Sequence, residues 1–358
     1  MGLYEQLQQR ESQGTPLRVG LIGAGKFGTM FLAQVLRIPG IHVVGVADLR
    51  VDVAKSNMIY AGWAADRIEA ASLDAALSSG ETHVGPDAIA LIAHHGVEIL
   101  IECTGNPVIA VDHALAAFAA GKHVISATVE ADAVCGAALV KRAEAAGVIY
   151  SQAYGDQPAM TVELVDWART CGFEVAAAGR GHKWKPEYRF STPDTIWDYW
   201  GVTAEKAERG RLNPKMFNSF LDGTKPAIES AAISNATWLN APTHGLTYPS
   251  GAIDDIATLM RPRDAGGVLE EALVEERKKR QKARQEEEEL KKEALELARE
   301  QLDLEEAREH AREAWAEDAK GRGSLSRKRW LDSIFELAGT CARHEDPASP
   351  CGARSLRS

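Results

Sequence analysis

The stretch "VGLIGAGKFGTMF", Val19 to Phe31, decides how the rest of the chain is read. One apolar run stops at Gly23 and another opens after Gly28, with Gly25 between them. Gly23 permits a tight turn, and Gly25 lets the backbone approach a pyrophosphate. Gly28 allows a helix to pack closely on a strand, and the N-terminus of that helix faces the phosphates. A strand before and a helix after give such a motif its meaning. Asp48 closes the next apolar run, 20 residues past Gly28, where a carboxylate accepts hydrogen bonds from an adenosine ribose. The spacing therefore predicts a dinucleotide cradle built from Gly23, Ala24, Gly25, Lys26, Phe27 and Gly28, with Asp48 on the ribose. Asp48 favours NAD, because a carboxylate repels a 2′-phosphate, whereas Arg50 offers that phosphate a partner. NAD and NADP both stay open.

Outward from this turn, short β-branched runs alternate with alanine-rich segments as far as about Gly181. "LRVGLIG", "HVVGVAD", "EILIECTG", "KHVISAT", "VIYSQAYG" and "FEVAAAGRG" read as strands separated by helices. Near-continuous apolar strands suit a parallel sheet covered on both faces, so the fold class is α/β, a Rossmann doubly wound parallel sheet. Residues 1–16 form an N-terminal helix and 17–155 the dinucleotide-binding domain, with a mostly helical side insertion at about 64–96. Residues 156–269, aromatic, polar and broken by proline, read as a second, smaller α+β domain that binds substrate. A long charged helix follows over 270–320, where Glu275–Lys279, Glu276–Arg280 and Glu287–Lys291 sit at i,i+4 spacing. Leu290, Leu297 and Leu304 repeat every 7 residues, with Ala294 offset, a short coiled-coil-like pattern. Residues 321–358 read as a tail with a disordered end, in which Cys341, His344 and Cys351 lack zinc spacing.

Composition narrows the function classes. A formal charge of −10 argues against general affinity for nucleic acid. No apolar run reaches the ~20 residues that cross a bilayer, and the polar N-terminus lacks a secretory signal. Five irregularly placed cysteines do not make a disulfide framework, which predicts a reduced, cytoplasmic enzyme.

Ligands of an open parallel sheet lie beyond the carboxyl ends of its strands. Those ends carry Gly23–Gly28, Asp48, Cys103–Asn106, Ala127–Glu130 and Tyr154–Asp156. Thr104, Gly105 and Thr128 are expected along the nicotinamide half of the cofactor. The segment "GRGHKWKPEYR" then supplies a cluster of cations. Hydride transfer to a carbonyl leaves negative charge on oxygen, which an ammonium can stabilise and protonate. Lys183 is the first candidate, with Lys185 or Arg180 for an anionic substrate group; the plainer alternative is an exposed basic loop. Glu130 and Asp156 could position the lysine or hold a divalent ion, against the plainer role of helix N-terminal acids. Lys225, Asn235 and His244 are further substrate-contact candidates. A thiolate at Cys103 or Cys135 would give a different chemistry, that of a thiol-dependent semialdehyde dehydrogenase.

Taken together, "LYEQLQQRESQGTPLRVGLIGAGKFGT", "ECTGNP", "VEAD", "GVIYSQAYGDQP" and "AISNAT" resemble the reductoisomerase-like oxidoreductases. These proteins resemble 1-deoxy-D-xylulose 5-phosphate reductoisomerase in function but are built on a homoserine-dehydrogenase-like Rossmann domain. The resemblance runs from about Leu3 to Leu269. It implies NAD(P)H-dependent reduction of a small polar oxo compound, phosphorylated or not, with a divalent metal as an optional cofactor. The chain departs from the family after "GGVLE", where a β-rich SAF domain is usual and the charged helix stands instead. It departs again at "SATVEAD", which offers Glu130 where homoserine dehydrogenases proper carry a lysine after the fifth strand. The resulting expectation is a small-molecule oxidoreductase without nucleic-acid or membrane partners, with homo-oligomer formation open. The competing reading outside enzymology is a non-catalytic NAD(P)-sensing scaffold that presents its charged helix to a partner.

Overall fold

The computed structural model describes residues 2–182, 184–210 and 212–270, together with Lys282, Glu286, Glu289, Leu290 and Lys292. The chain divides into two units, residues 1–279 and 280–358. In the second, the five described residues are helical, and Lys282 Nζ stands 3.9 Å from a Glu286 carboxylate oxygen. The remainder of the expected charged helix, Leu297 and Leu304 included, and the tail with its cysteines lie outside the described residues.

The first unit opens with helix α1 (Leu3–Ser12) and strand β1 (Leu17–Ile22), which leads through the glycine turn into α2 (Lys26–Val35). Next come β2 (Ile41–Ala47), α3 (Val51–Tyr60), α4 (Leu73–Ser79), β3 (His83–Gly85) and α5 (Ala88–Ala93). The second half runs β4 (Ile99–Glu102), α6 (Pro107–Ala119), β5 (His123–Ser126), α7 (Val129–Ala145), β6 (Tyr150–Gln152) and α8 (Gln157–Thr170). All pairings are parallel and the strand order is β3-β2-β1-β4-β5-β6, the doubly wound arrangement. Each face has its own apolar layer. Leu21, Leu32, Val43, Val46 and Met58 pack beneath α2 and α3, while Ile22, Val44, Leu91, Leu100, Phe118 and Leu139 pack beneath α4 to α7. A register shift in β2 opposite Val19/Gly20 admits Val44 as an extra residue and sends it to the second face.

Two expectations change. Residues 64–96 are not a side insertion: they supply β3, the edge strand beside β2, with Val46 opposite Val84. Their strand is only three residues long, too short to show as an apolar run. "FEVAAAGRG" forms no strand; strand propensity is weak until a neighbour pairs with it.

The second region carries helices α9 (Ile196–Trp200), α10 (Ala204–Arg209), α11 (Pro214–Leu221), α12 (Thr224–Thr237) and α13 (Ile256–Leu259). Among its described residues the β component from 157 onward is the isolated bridge Pro262–Leu269. Helix α12 lies against α7 and α8. Asn235 Nδ2 donates to the carbonyls of Asp132 and Ala133 at 2.9 Å each, and Arg169 donates to the Thr237 carbonyl at 2.8 Å. The first clip falls just before the kink of α7 at Cys135, which has non-helical backbone angles. No helix among the described residues is long and apolar enough to cross a membrane.

The glycine turn is packed to contact. A Cβ on Gly28 would collide with the carbonyl oxygen of Gly23, and one on Gly23 would lie 2.8 Å from the carbonyl oxygen of Cys103. Gly23 also has φ +94, a left-handed conformation that a side chain disfavours. Gly28→Ala should therefore lower the unfolding free energy by about 1–3 kcal/mol, read as a lower urea midpoint at unchanged slope.

Candidate active site

Where β1 ends, Gly23 N–H donates to the Ala47 carbonyl at 2.8 Å, and the chain turns into α2 with Gly25 at its N-cap. Gly25, Lys26 and Phe27 are exposed, and a Cβ on Gly25 would meet nothing within 4 Å. The space beside Gly25, at the N-terminus of α2, is thus open, which fits a pyrophosphate. Ala24 is buried and contributes its amide instead: its N–H donates to Asp48 Oδ2 at 2.9 Å. Asp48 Oδ1 accepts from Arg50 N–H, also at 2.9 Å, so the carboxylate ties the glycine turn to the turn after β2. Each oxygen keeps a lone pair for a ribose hydroxyl. The Arg50 side chain is exposed beside it. These residues fit a dinucleotide.

The β4 end is built on a residue that the sequence reading passed over. Glu102 is 1% exposed. Its Oε1 accepts from Thr104 N–H at 3.2 Å and from Thr104 Oγ1 at 2.5 Å, and its Oε2 accepts from Thr128 Oγ1. Thr128 Oγ1 accepts in turn from Gly105 N–H at 3.1 Å. Thr104 and Gly105 are exposed at the end of β4, whereas Thr128 is wholly buried and touches that turn only through Gly105. That corrects its expected place along the cofactor.

Beyond β5 and β6, four of the candidate charges come together around a further buried residue, Glu229 of α12. Arg180 Nη1 lies 2.9 Å from Glu229 Oε2 and Lys225 Nζ 3.9 Å from Oε1. Burial pushes the Glu229 carboxyl up, Arg180 and Lys225 pull it down, and the charges of Asp156 and Glu130 push it up again. Glu130 lies in the first turn of α7, and Asp156 caps α8, accepting from Gln157 N–H at 2.9 Å. The helix-capping role of Asp156 is therefore real, and it coexists with a place beside Glu229. The signal for Glu229 in the sequence was an acid four residues after Lys225, immediately before the small run "SAAIS".

Other candidates fall elsewhere. Lys183 lies outside the described residues. The Lys185 side chain is 63% exposed and stands 3.9 Å from Glu187, as an exposed basic loop would have it. The Nδ2 of Asn235 donates to two α7 carbonyls, so the side chain acts as an interhelix clip. His244 is exposed, beside Glu270 rather than Glu229. Burial, joined by the negative charge of Glu102, pushes the Cys103 thiol far up, and burial also raises Cys135; neither is poised as a thiolate. Among the described residues, the His/Cys/Asp/Glu grouping with metal-like spacing is Asp74, His94 and His95. His94 Nδ1 accepts from Gly96 N–H, and its Nε2 meets Asp74 at 3.1 Å, so the ring has no lone pair left for a metal.

A model of the homoserine dehydrogenase NAD-binding domain matches residues 23–152, and one of the catalytic domain of oxidoreductase DRL matches residues 155–285. The two matches lie end to end, an NAD-binding domain model followed by an oxidoreductase catalytic domain model. A search of curated proteins found no match. Among solved structures, a homoserine dehydrogenase from Thiobacillus denitrificans is 24% identical over 38% of this chain and 29% of its own, with a TM-score of 0.30. A probable dehydrogenase from Thermotoga maritima is 19% identical over 44% and 41%, with a TM-score of 0.31. The WlbA dehydrogenase from Bordetella pertussis, solved with NADH and UDP-GlcNAcA, is 20% identical over 44% and 43%, TM-score 0.31. This chain therefore spans less than half the length of each, 29% to 43%.

Two outcomes follow from this geometry. Gly25→Ala should keep the unfolding free energy within about 0.5 kcal/mol of the native protein and weaken NADH or NADPH binding by about tenfold or more, measured by urea titration and calorimetry. Asp132, beneath α12, is 2% exposed and accepts from Tyr150 Oη at 2.7 Å; burial raises its carboxyl from 3.8 to about 6. Between those values the folded state holds a proton that the unfolded state has lost, so this group's stabilisation falls as pH rises from about 4 to about 6. Asp132→Asn should gain stability relative to the native protein across that window in parallel urea titrations.

Proposed function

We propose that the protein is an NAD(P)H-dependent oxidoreductase that reduces a small polar oxo compound by hydride transfer, with phosphorylated sugars and amino-acid semialdehydes as the leading substrate classes. The observation that carries this reading is the gathering of Arg180, Lys225, Glu229, Asp156 and Glu130 beyond β5 and β6, on the carboxyl side of the same sheet that holds the glycine turn. The two matched domains support the reaction class. The resemblance noted in the sequence supports the substrate class.

Gly25 and the amides of α2 would hold the pyrophosphate, Asp48 the adenosine ribose, and Thr104 and Gly105 the nicotinamide end. When bound, the nicotinamide supplies or accepts the hydride. Developing negative charge on the substrate oxygen then needs a cation and a proton. Lys183 is proposed as donor on its place in the basic segment, and Lys225 as the second candidate because its Nζ stands 3.9 Å from the buried Glu229 carboxylate. Arg180, with its guanidinium fixed by Glu229, would orient the substrate. The thiol-dependent reading loses support from the raised Cys103 and Cys135 thiols.

The test is a screen of phosphorylated sugars and amino-acid semialdehydes, followed by loss of reduced-nicotinamide absorbance. With the substrate in hand, Lys183→Met or Lys225→Met should lower kcat by about a hundredfold or more for whichever lysine donates the proton. Native turnover in both variants would remove the lysine assignment. A folded protein that binds neither NADH nor NADPH would remove the function itself.

A further inference from the structure

Glu102 is buried at the end of β4, and the proposed reaction gives it no task. All three hydrogen bonds to its carboxylate are donated by its neighbours, the Thr104 amide and the Thr104 and Thr128 hydroxyls. Because Thr128 Oγ1 already accepts from Gly105 N–H, its proton must go to Glu102, which fixes the relay Gly105 N–H to Thr128 to Oε2. A second relay runs the same way: Asn106 N–H donates to Thr104 Oγ1 at 3.3 Å, and Thr104 Oγ1 donates to Oε1. The Thr104 amide donates to the same oxygen, and His113 Nδ1 stands 3.5 Å from it. Only an acceptor-only group satisfies this set; a glutamine would turn an NH₂ toward one of the threonines.

We propose that Glu102 is a positioning residue for the nicotinamide end of the dinucleotide site. It aims the exposed Thr104–Asn106 turn and holds it against Thr128, the N-cap of α7. The adenosine end is organised separately, through the Asp48–Ala24 bond and the open face of Gly25. The two ends should thus respond differently when the relay is cut. The inference rests on the dinucleotide reading above.

Calorimetry with ADP, NADH and NADPH on the full chain tests it, with Glu102→Gln and Thr128→Val as variants. The expected result is a loss of about tenfold in NADH or NADPH affinity for both variants, with ADP affinity changed by less than about twofold. Urea midpoints taken alongside identify a variant that no longer folds, in which case the other carries the test. Unchanged dinucleotide binding overturns the proposal, and so does an equal loss for ADP, which would make Glu102 a general support of the fold. If the native protein binds ADP and a dinucleotide while the variants show either of those results, the dinucleotide reading stands without this residue. A native protein that binds none of the three ligands sinks both.

Discussion

The structure depends on a contact between two backbones. The glycine turn after β1 lies so close to Cys103 and Thr104 at the end of β4 that no side chain fits at residue 23, and α2 then presses Gly28 onto the carbonyl of Gly23. This fixes where α2 begins, at the turn between β1 and the end of β4. That is the point where the strand order reverses, and ligands of doubly wound sheets lie there. The same contact brings the β4 turn, hydrogen-bonded to Glu102, up against the glycine turn.

Three buried carboxylates mark the path from the cradle to the second region, and each meets the cost of burial differently. Glu102 gathers hydroxyl and amide donors. Asp132 takes a single hydrogen bond from Tyr150 and holds its proton to about pH 6. Glu229 is paired with two cations. Burying a carboxylate without partners costs several kcal/mol, and a cation pair offsets it only with good geometry. Glu229 is therefore an expensive residue for a helix interface that Ala232 and Ile233 already pack. A buried acid between two cations, next to two further acids at helix N-termini, is an arrangement that packing alone does not call for.

Much of the frame was legible because each signal was local. β1, β2, β4 and β5 are continuous apolar runs, and the glycine turn and Asp48 follow them at fixed spacing. β3 was not legible, since three residues with one buried valine carry no periodic signal. "FEVAAAGRG" has the composition of a strand and lacks a neighbour to pair with. Asn235 and Thr128 looked available for ligands, yet the Asn235 Nδ2 and the Thr128 hydroxyl are used inside the protein. A polar residue type shows what bonds a side chain can make, and only its surroundings show which of them are already made.

The sequence by itself determined the parallel sheet, the glycine turn with Asp48 after the second strand, and the set of charges available after the last strand. Those features depend on residues near one another in the chain, where backbone sterics and hydrophobic periodicity act directly. The tertiary structure decided which charges meet. Lys225 and Glu229 share one helix, but Arg180 and Asp156 reach them only because α12 docks on α7 and α8. Glu102 and Thr128 likewise stand 26 residues apart and become partners only when β4 and β5 pair side by side.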